Sequence, residues 1–324
     1  MRNFLLTIYL IFALIVCGCV NTQIKLFTDA EDPLLEFVLE GKAREKLLII
    51  PIKGFISSSP ERDFMRNNAG MVQDVVSQLK LAREDKYVKS ILFLIDSPGG
   101  TATASDILYN EIKSFKEETG IKVVACFMNV AASGAYYISL PADAIIAHPT
   151  SITGSIGVIF MRPKFDGLME KIGIGMEVNK SGKNKDMGSP FRKTTKQEDQ
   201  LLQEVVDDLG NRFKSLVKTH RNIKEKYQDD IFSARIFIAN EAKKMGLIDE
   251  VGYLKDSIKR AKYLASIPED SQIIVYRRTE YPNDNIYNIT NSNMLHNKNI
   301  SLFNIELLNK FNKLDTGFYY MWLP

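Results

Sequence analysis

Short, uninterrupted apolar runs alternate along this chain with stretches in which apolar residues recur every three or four positions. Leu47–Ile52, Ser90–Ile95, Lys122–Met128 and Ala144–Ala147 are of the first kind and predict strands buried on both faces. Met71, Val75, Val76, Leu79 and Ala82 predict a helix over 70–85, and Ile107, Leu108 and Ile112 mark the inward side of a second over 102–115. A short helix over 133–140 follows the third run. Beyond it the pattern predicts a strand over 154–160, a helix over 164–172, a short strand over 174–178 and a long helix over 194–226. Helices near 239–246 and 253–265 and a strand over 273–276 complete the body. Strands and helices joined by short turns, such as 96–100 and 129–132, predict an α/β fold on a mainly parallel sheet covered by helices.

Both ends depart from that pattern. Met1–Asn3 carries one positive charge, Phe4–Val16 is apolar almost throughout and Cys17-Gly18-Cys19 follows, which is the layout of an export signal. An apolar stretch that ends at Val20 is at the short limit for a spanning helix. It reads either as a retained transmembrane anchor or as a leader cleaved before a lipidated Cys19, and Val16-Cys17-Gly18-Cys19, which resembles a bacterial lipobox, favours the second. Either way the rest of the chain is expected outside the cytoplasm, tethered to a membrane. Residues 21–45 are polar and mixed and read as a tether or short helix, with the body over 46–266. Residues 267–324 hold the last strand and an Asn-rich tail closing on the aromatic tip Gly317–Pro324, which is expected to pack on its own or a neighbouring subunit.

With 324 residues, 45% hydrophobic and 25% charged, the chain is long and apolar enough for a large core, which excludes general disorder. The net charge of +3 comes from interleaved acids and bases rather than a basic stripe, so nucleic acid is not an expected partner. Outside the leader the only cysteine is Cys126, which can form no internal disulfide and reads as a small buried hydrophobe rather than a nucleophile.

Candidate chemistry gathers at two turns that end strands and open helices, Asp96-Ser-Pro-Gly-Gly100 and Ala131-Ala-Ser-Gly-Ala135. In open α/β sheets sites form at the carboxyl ends of strands, where unpaired N–H groups face outward. Ser133, with Gly134 behind it, fits a nucleophile whose oxyanion is held by the N–H groups of Gly100 and Gly134. Taken alone, Ser133 reads first as a helix N-cap, and Gly99-Gly100 fits a simple turn. A serine nucleophile needs a base. His148, His220 and His296 stand in no site-like turn with a carboxylate, whereas the glycine-punctuated loop 180–190 offers Lys180, Lys183 and Lys185. A lysine serves as a base only when neutral, and a lysine-rich loop is otherwise a solvated surface.

Asp96–Gly100, Ala132–Tyr137, Thr153–Val158 and the loop Lys180-Ser-Gly…Lys185-Asp…Gly188-Ser-Pro190 together resemble, in order, the signatures of the bacterial signal peptide peptidases, or protease IV, in their short single-unit form. The likeness runs from about Lys46 to Leu264. It implies a Clp protease/crotonase-like fold of repeated β-β-α units and a serine peptidase with a Ser/Lys dyad that needs no metal or cofactor. Position by position, Ser133 matches the nucleophile, Lys185 the general base, and Ser155 a serine that orients the lysine. Ala135 departs from the family, which commonly has a second glycine there. The resemblance further implies signal peptides or other apolar peptides as substrates, and a homo-oligomer whose active site is shared between subunits. Two readings compete: a crotonase-type acyl-CoA hydratase or isomerase on the same fold, and a catalytically silent membrane-tethered scaffold.

Overall fold

The computed structural model describes residues 32–63, 66–288 and 316–323. In chain order the first elements are β1 (Leu35–Glu40), β2 (Ala43–Lys53), β3 (Glu61–Asp63), β4 (Arg66–Asn68), α1 (Met71–Glu84), β5 (Val88–Ser97), β6 (Gly99–Thr101) and α2 (Ala102–Thr119). Then come β7 (Lys122–Ala132), α3 (Gly134–Ser139), β8 (Ala144–Ala147), β9 (Ile152–Gly154), β10 (Ile159–Met161), α4 (Asp166–Ile172) and α5 (Lys196–His220). A 3₁₀ turn leads to α6 (Gln228–Phe232), β11 (Ile236–Ile238), α7 (Ala239–Met245), β12 (Glu250–Val251), α8 (Leu254–Leu264), β13 (Ser271–Arg277) and β14 (Gly317–Met321).

The main sheet runs β1-β13-β2-β5-β7-β8-β12, and from β13 to β12 every pair is parallel. Its central strands β2, β5, β7 and β8 carry unbroken apolar runs because both faces are covered. In β2, Leu48, Ile50 and Ile52 turn to one face, packing with Val75 and Leu79 of α1 and Leu108 and Ile112 of α2. Leu47 and Ile49 turn to the other, packing with Leu254, Ile258 and Ala261 of α8. Each such side chain removed from water contributes about 1.5–3 kcal/mol before conformational entropy is set against it.

Caps fix the helices that border the site. Thr101 accepts from the Ala104 N–H at the start of α2, and Gly120, at φ +67°, ends it in the left-handed region that favours glycine. At α5, Thr195 and Glu198 cap each other's exposed N–H groups reciprocally.

The structure departs from the sequence expectations at several places. Residues 35–45 are not tether: Leu35–Glu40 alternates and pairs antiparallel with β13 at the sheet edge. The expected strand over 154–160 is broken at Ser155, whose φ of +52° turns the chain out of the sheet, leaving β9 and β10 in different sheets. Residues 174–178 form no strand, and Ile174, Met176 and Val178 are exposed. Ile107 also faces outward, while Ser105 and Tyr109 take the inner side of α2. The turn expected at 129–132 is instead the end of β7, which slips register against β5 before Ala131. The proposed leader and Cys19 lie outside the described residues. No helix among the described residues is long and apolar enough to cross a membrane.

Candidate active site

The register slip in β7 decides where Ser133 goes. Up to Phe127 the strand pairs with β8, and beyond the slip it pairs with β9, with Ala132 opposite Gly154. Irregularities of this kind bend a strand and re-aim the side chains beyond the bend. Ser133 then adopts φ +54°, ψ −116°, held from both sides: its N–H donates to the Gly154 carbonyl at 2.8 Å and its carbonyl accepts from the Tyr137 N–H at 2.9 Å. A non-glycine residue in that region costs on the order of 1–3 kcal/mol and persists only where its surroundings impose it.

Ser133 occupies the N-cap position of α3, yet its side chain makes no capping hydrogen bond. It is 1% exposed, and its Oγ has no hydrogen-bond partner among the described residues. The capping alternative therefore fails, and a buried, unpartnered hydroxyl remains at a strained turn.

The glycines assemble around it. A β-carbon on Gly100 would stand 1.9 Å from the Ile56 carbonyl oxygen, and one on Gly134 would stand 2.4 Å from Ser105 Oγ and 3.2 Å from the Gly100 nitrogen. The N–H-bearing backbones of Gly100 and Gly134 thus approach as closely as only glycine permits. Gly99, at φ +104°, completes the turn, and its N–H is held by Ser97 Oγ. Ser155 is brought beside the nucleophile turn by the β7–β9 pairing and donates its N–H to the Arg235 carbonyl.

Lys185 is not brought to Ser133 within this chain. It lies on an exposed turn, its N–H donating to the Gly182 carbonyl, and no hydrogen bond or ion pair joins its amine to another described residue. Its neighbour is pinned instead. Asp186 accepts from Arg192 and from Lys180, which hold its carboxyl well below the usual carboxylate range. Arg192 also grips Glu198 of the α5 cap and holds that carboxyl down at about 2. Lys180 is thereby engaged with Asp186, and Lys183 with Gln197. The exposed residues Phe165, Leu168, Ile172, Ile174, Met176 and Val178 precede the loop.

Two histidines are bound elsewhere, His148 to Thr150 and His220 to Tyr109, so neither serves Ser133; His296 lies outside the described residues. Burial pushes the Cys126 thiol up to about 11, as expected of an inert packed cysteine.

The two tyrosines after the serine take different places in the fold. Tyr136 is core, its hydroxyl donating to the Leu247 carbonyl. Tyr137, one turn after the serine, lines a buried aromatic cluster with Phe213 of α5, and its hydroxyl donates to Asp106 at 2.5 Å. Arg212 closes on the same carboxylate. An aromatic pair at positions 136–137 gave no sign of which ring faced the site.

The sequence profile of peptidase family S49 matches residues 115–268, and that of the Clp proteases matches residues 64–153. A putative signal peptide peptidase SppA of Enterococcus faecium is 34% identical over 256 residues, covering 78% of this chain and 73% of that protein. The chain belongs to peptidase family S49. As a member it is a serine peptidase, which sets aside the hydratase and silent-scaffold readings. A putative protease of Synechocystis is 36% identical over 227 residues, covering 70% of this chain and 77% of its own. Among solved structures, a 1510-N membrane-bound stomatin-specific protease aligns at a TM-score of 0.43 and 20% identity, covering 74% of this chain and 94% of that one.

Proposed function

We propose that this S49 peptidase is a membrane-tethered endopeptidase that degrades cleaved signal peptides at the outer face of the cytoplasmic membrane, with Ser133 as nucleophile and Lys185 as general base. One observation carries the assignment of Ser133: in a serine peptidase, its buried hydroxyl is unpartnered, on a strained turn, beside the clustered glycines. Neutral Lys185 takes the proton as Ser133 Oγ attacks the peptide carbonyl carbon, and the N–H groups of Gly100 and Gly134 hold the oxyanion. Lys185 returns the proton to the leaving amine, and water, deprotonated by the same lysine, releases the acyl group and restores the serine. Ser155 orients the lysine.

The amine of Lys185 stands exposed in a single chain while Ser133 is buried without a base, which supports a homo-oligomer in which one subunit's Lys185 completes its neighbour's site. The exposed apolar side chains of 165–178 are suited to that contact. The apolar leader, the lipobox-like Cys19 and the name of the Enterococcus relative support membrane substrates.

The test uses apolar signal-peptide substrates in detergent micelles. Ser133→Ala and Lys185→Ala are each expected to be inactive and to regain up to about a quarter of wild-type turnover when refolded together. Activity of Lys185→Ala alone overturns the lysine assignment, and a mixture that regains nothing overturns the shared site. Mass spectrometry of the mature N-terminus decides between a lipidated Cys19 and an intact anchor.

A further inference from the structure

The strand that leads into Ser133 is irregular just before it, and side chains from its neighbours hold the irregularity. Between the Ile95–Phe127 and Ser97–Ala131 pairs, Asp96 of β5 stands opposite three residues of β7, Met128, Asn129 and Val130. On its other edge β7 pairs with β8 up to Phe127 and with β9 from Val130, so Met128 and Asn129 pair with no strand among the described residues. A bulge of this kind takes main-chain groups out of the ladder, and the buried ones need other partners.

Three side chains from outside β7 supply them. Asp96 Oδ1 accepts from the Val130 N–H at 3.3 Å. The Ser151 hydroxyl lies against two carbonyls at once, that of Phe127 at 2.9 Å and that of Met128. Thr153 Oγ1 donates to the Ala131 carbonyl at 2.6 Å. Ser151 and Thr153 are wholly buried, out of reach of bulk water.

Each anchor is itself fixed. The Asp96 carbonyl accepts from the Gly54 N–H at 2.9 Å, the Ser151 carbonyl accepts from the Ala239 N–H at 3.1 Å, and Thr153 pairs with Phe237 of β11. The anchors also stand next to residues that hold the site. Gly154, beside Thr153, accepts from the Ser133 N–H at 2.8 Å, and Ser97, beside Asp96, accepts from the Gly99 N–H at 3.1 Å. Consecutive residues of β9 therefore hold Ala131 and Ser133, while consecutive residues of β5 hold the bulge and the turn that carries Gly100.

We infer that Asp96, Ser151 and Thr153 are positioning residues of the peptidase: by bonding the main-chain groups that the bulge removes from the ladder, they fix where Ser133 Oγ stands relative to the N–H groups of Gly100 and Gly134. They act through the backbone of β7, so their loss is felt in turnover rather than in substrate binding. Residue 96 must offer an oxygen that accepts, and residue 153 a hydroxyl that donates; neither a charge nor a methyl is required. The inference rests on Ser133 being the nucleophile as proposed above.

Steady-state cleavage of an apolar signal peptide in detergent micelles by the full-length chain tests it, with rates expressed per folded molecule from near-ultraviolet circular dichroism. Asp96→Ala and Thr153→Val are each expected to lower kcat about tenfold, with KM within about twofold of wild type. Asp96→Asn and Thr153→Ser keep the oxygen that each bond uses and are expected to bring kcat back to within about threefold of wild type. The double variant Asp96→Ala/Thr153→Val is expected to lose less than the roughly hundredfold product of the two, because both loosen one bulge. If either single variant does not fold, Ser151→Ala decides, since the Phe127 carbonyl keeps the His148 N–H at 2.9 Å. It is expected to lower kcat about fivefold, and a wild-type value overturns the inference. A loss of rate that vanishes once divided by the folded fraction makes these residues structural only, overturning the inference and leaving the peptidase assignment standing. A raised KM at unchanged kcat overturns it as well, and Asp96→Asn as slow as Asp96→Ala overturns the part assigned to Asp96. Ser133→Ala run alongside is expected to be inactive; if it cuts as fast as wild type, the nucleophile assignment falls and this inference with it.

Discussion

Ser133 stands buried between the ends of two sheet strands and a buried helix, whereas Lys185 stands on an exposed turn whose neighbours are held by Asp186, Arg192 and Glu198. One half of the proposed dyad is fixed by close packing, with glycines in contact with backbone atoms. The other is fixed by charge on a surface segment with open space around its own glycines, Gly175 and Gly182. Packing tolerates almost no change but asks nothing of the solvent, while a charged clamp tolerates change and depends on pH and salt. The proposed sharing of the site between subunits would suit this division, with the proposed nucleophile held in each chain and the proposed base on its exposed surface.

The largest effect that would break this contrast is on turnover. Ser133→Ala should lower peptide cleavage by about 10⁴-fold or more while thermal unfolding stays within about 1 kcal/mol of wild type, because the lost hydroxyl has no partner to strand. A melting temperature that fell sharply would show that Ser133 is structural. Next comes the glycine pair. Gly100→Ala drives a methyl into the Ile56 backbone and should cost about 3 kcal/mol or more of stability, whereas Gly182→Ala in the lysine loop meets nothing and should stay within about 0.5 kcal/mol. Denaturant titration of the two variants measures the difference directly.

A smaller effect concerns the clamp. Arg192→Gln removes the one partner that Asp186 and Glu198 share, leaving Lys180 on the first and Thr195 on the second, and should reduce turnover about tenfold through misplacement of Lys185, with the midpoint of unfolding nearly unchanged. The gentlest probe is acid. Both carboxyls have pKa values lowered by folding, so the stability they give is present above their ordinary values and is lost as pH falls through the folded ones. Between about pH 4.5 and 2, amide exchange over 180–198 should accelerate before it does in β7 and α3. Simultaneous loosening of both regions would mean that the loop is held by packing after all.

Much of this architecture was readable in the chain. The parallel core strands could be found because both-face burial leaves unbroken apolar runs, and α1 and α2 because a helix has one inward stripe. Ser133, Gly134 and Gly100 could be found because the turns that hold them require small residues at fixed places. Ser155 hid a break, since nothing in Thr153–Val158 announces that a serine will take φ +52°. Exposed Ile174–Val178 imitated a strand because apolar residues awaiting a partner look in sequence like apolar residues already buried. The aromatic cluster was invisible for a different reason: Tyr137, Phe213 and Tyr320 lie far apart in the chain, and only the fold makes them neighbours. The tip was expected to pack on a body, and it does, but its register against β6 came from pairing that no periodicity could reveal.

The edge strand β1 has a mechanical consequence. It is the first described strand; among the described residues its one ladder is with β13, a Glu36–Lys46 ion pair tying it also to β2, and β2 and β5 still stand between that pair and β7. A pull applied from the N-terminal side is therefore borne first by one antiparallel ladder at the rim. If the leader tethers the chain, lateral drag in the bilayer would peel this rim strand before any load reached the strand that leads into Ser133.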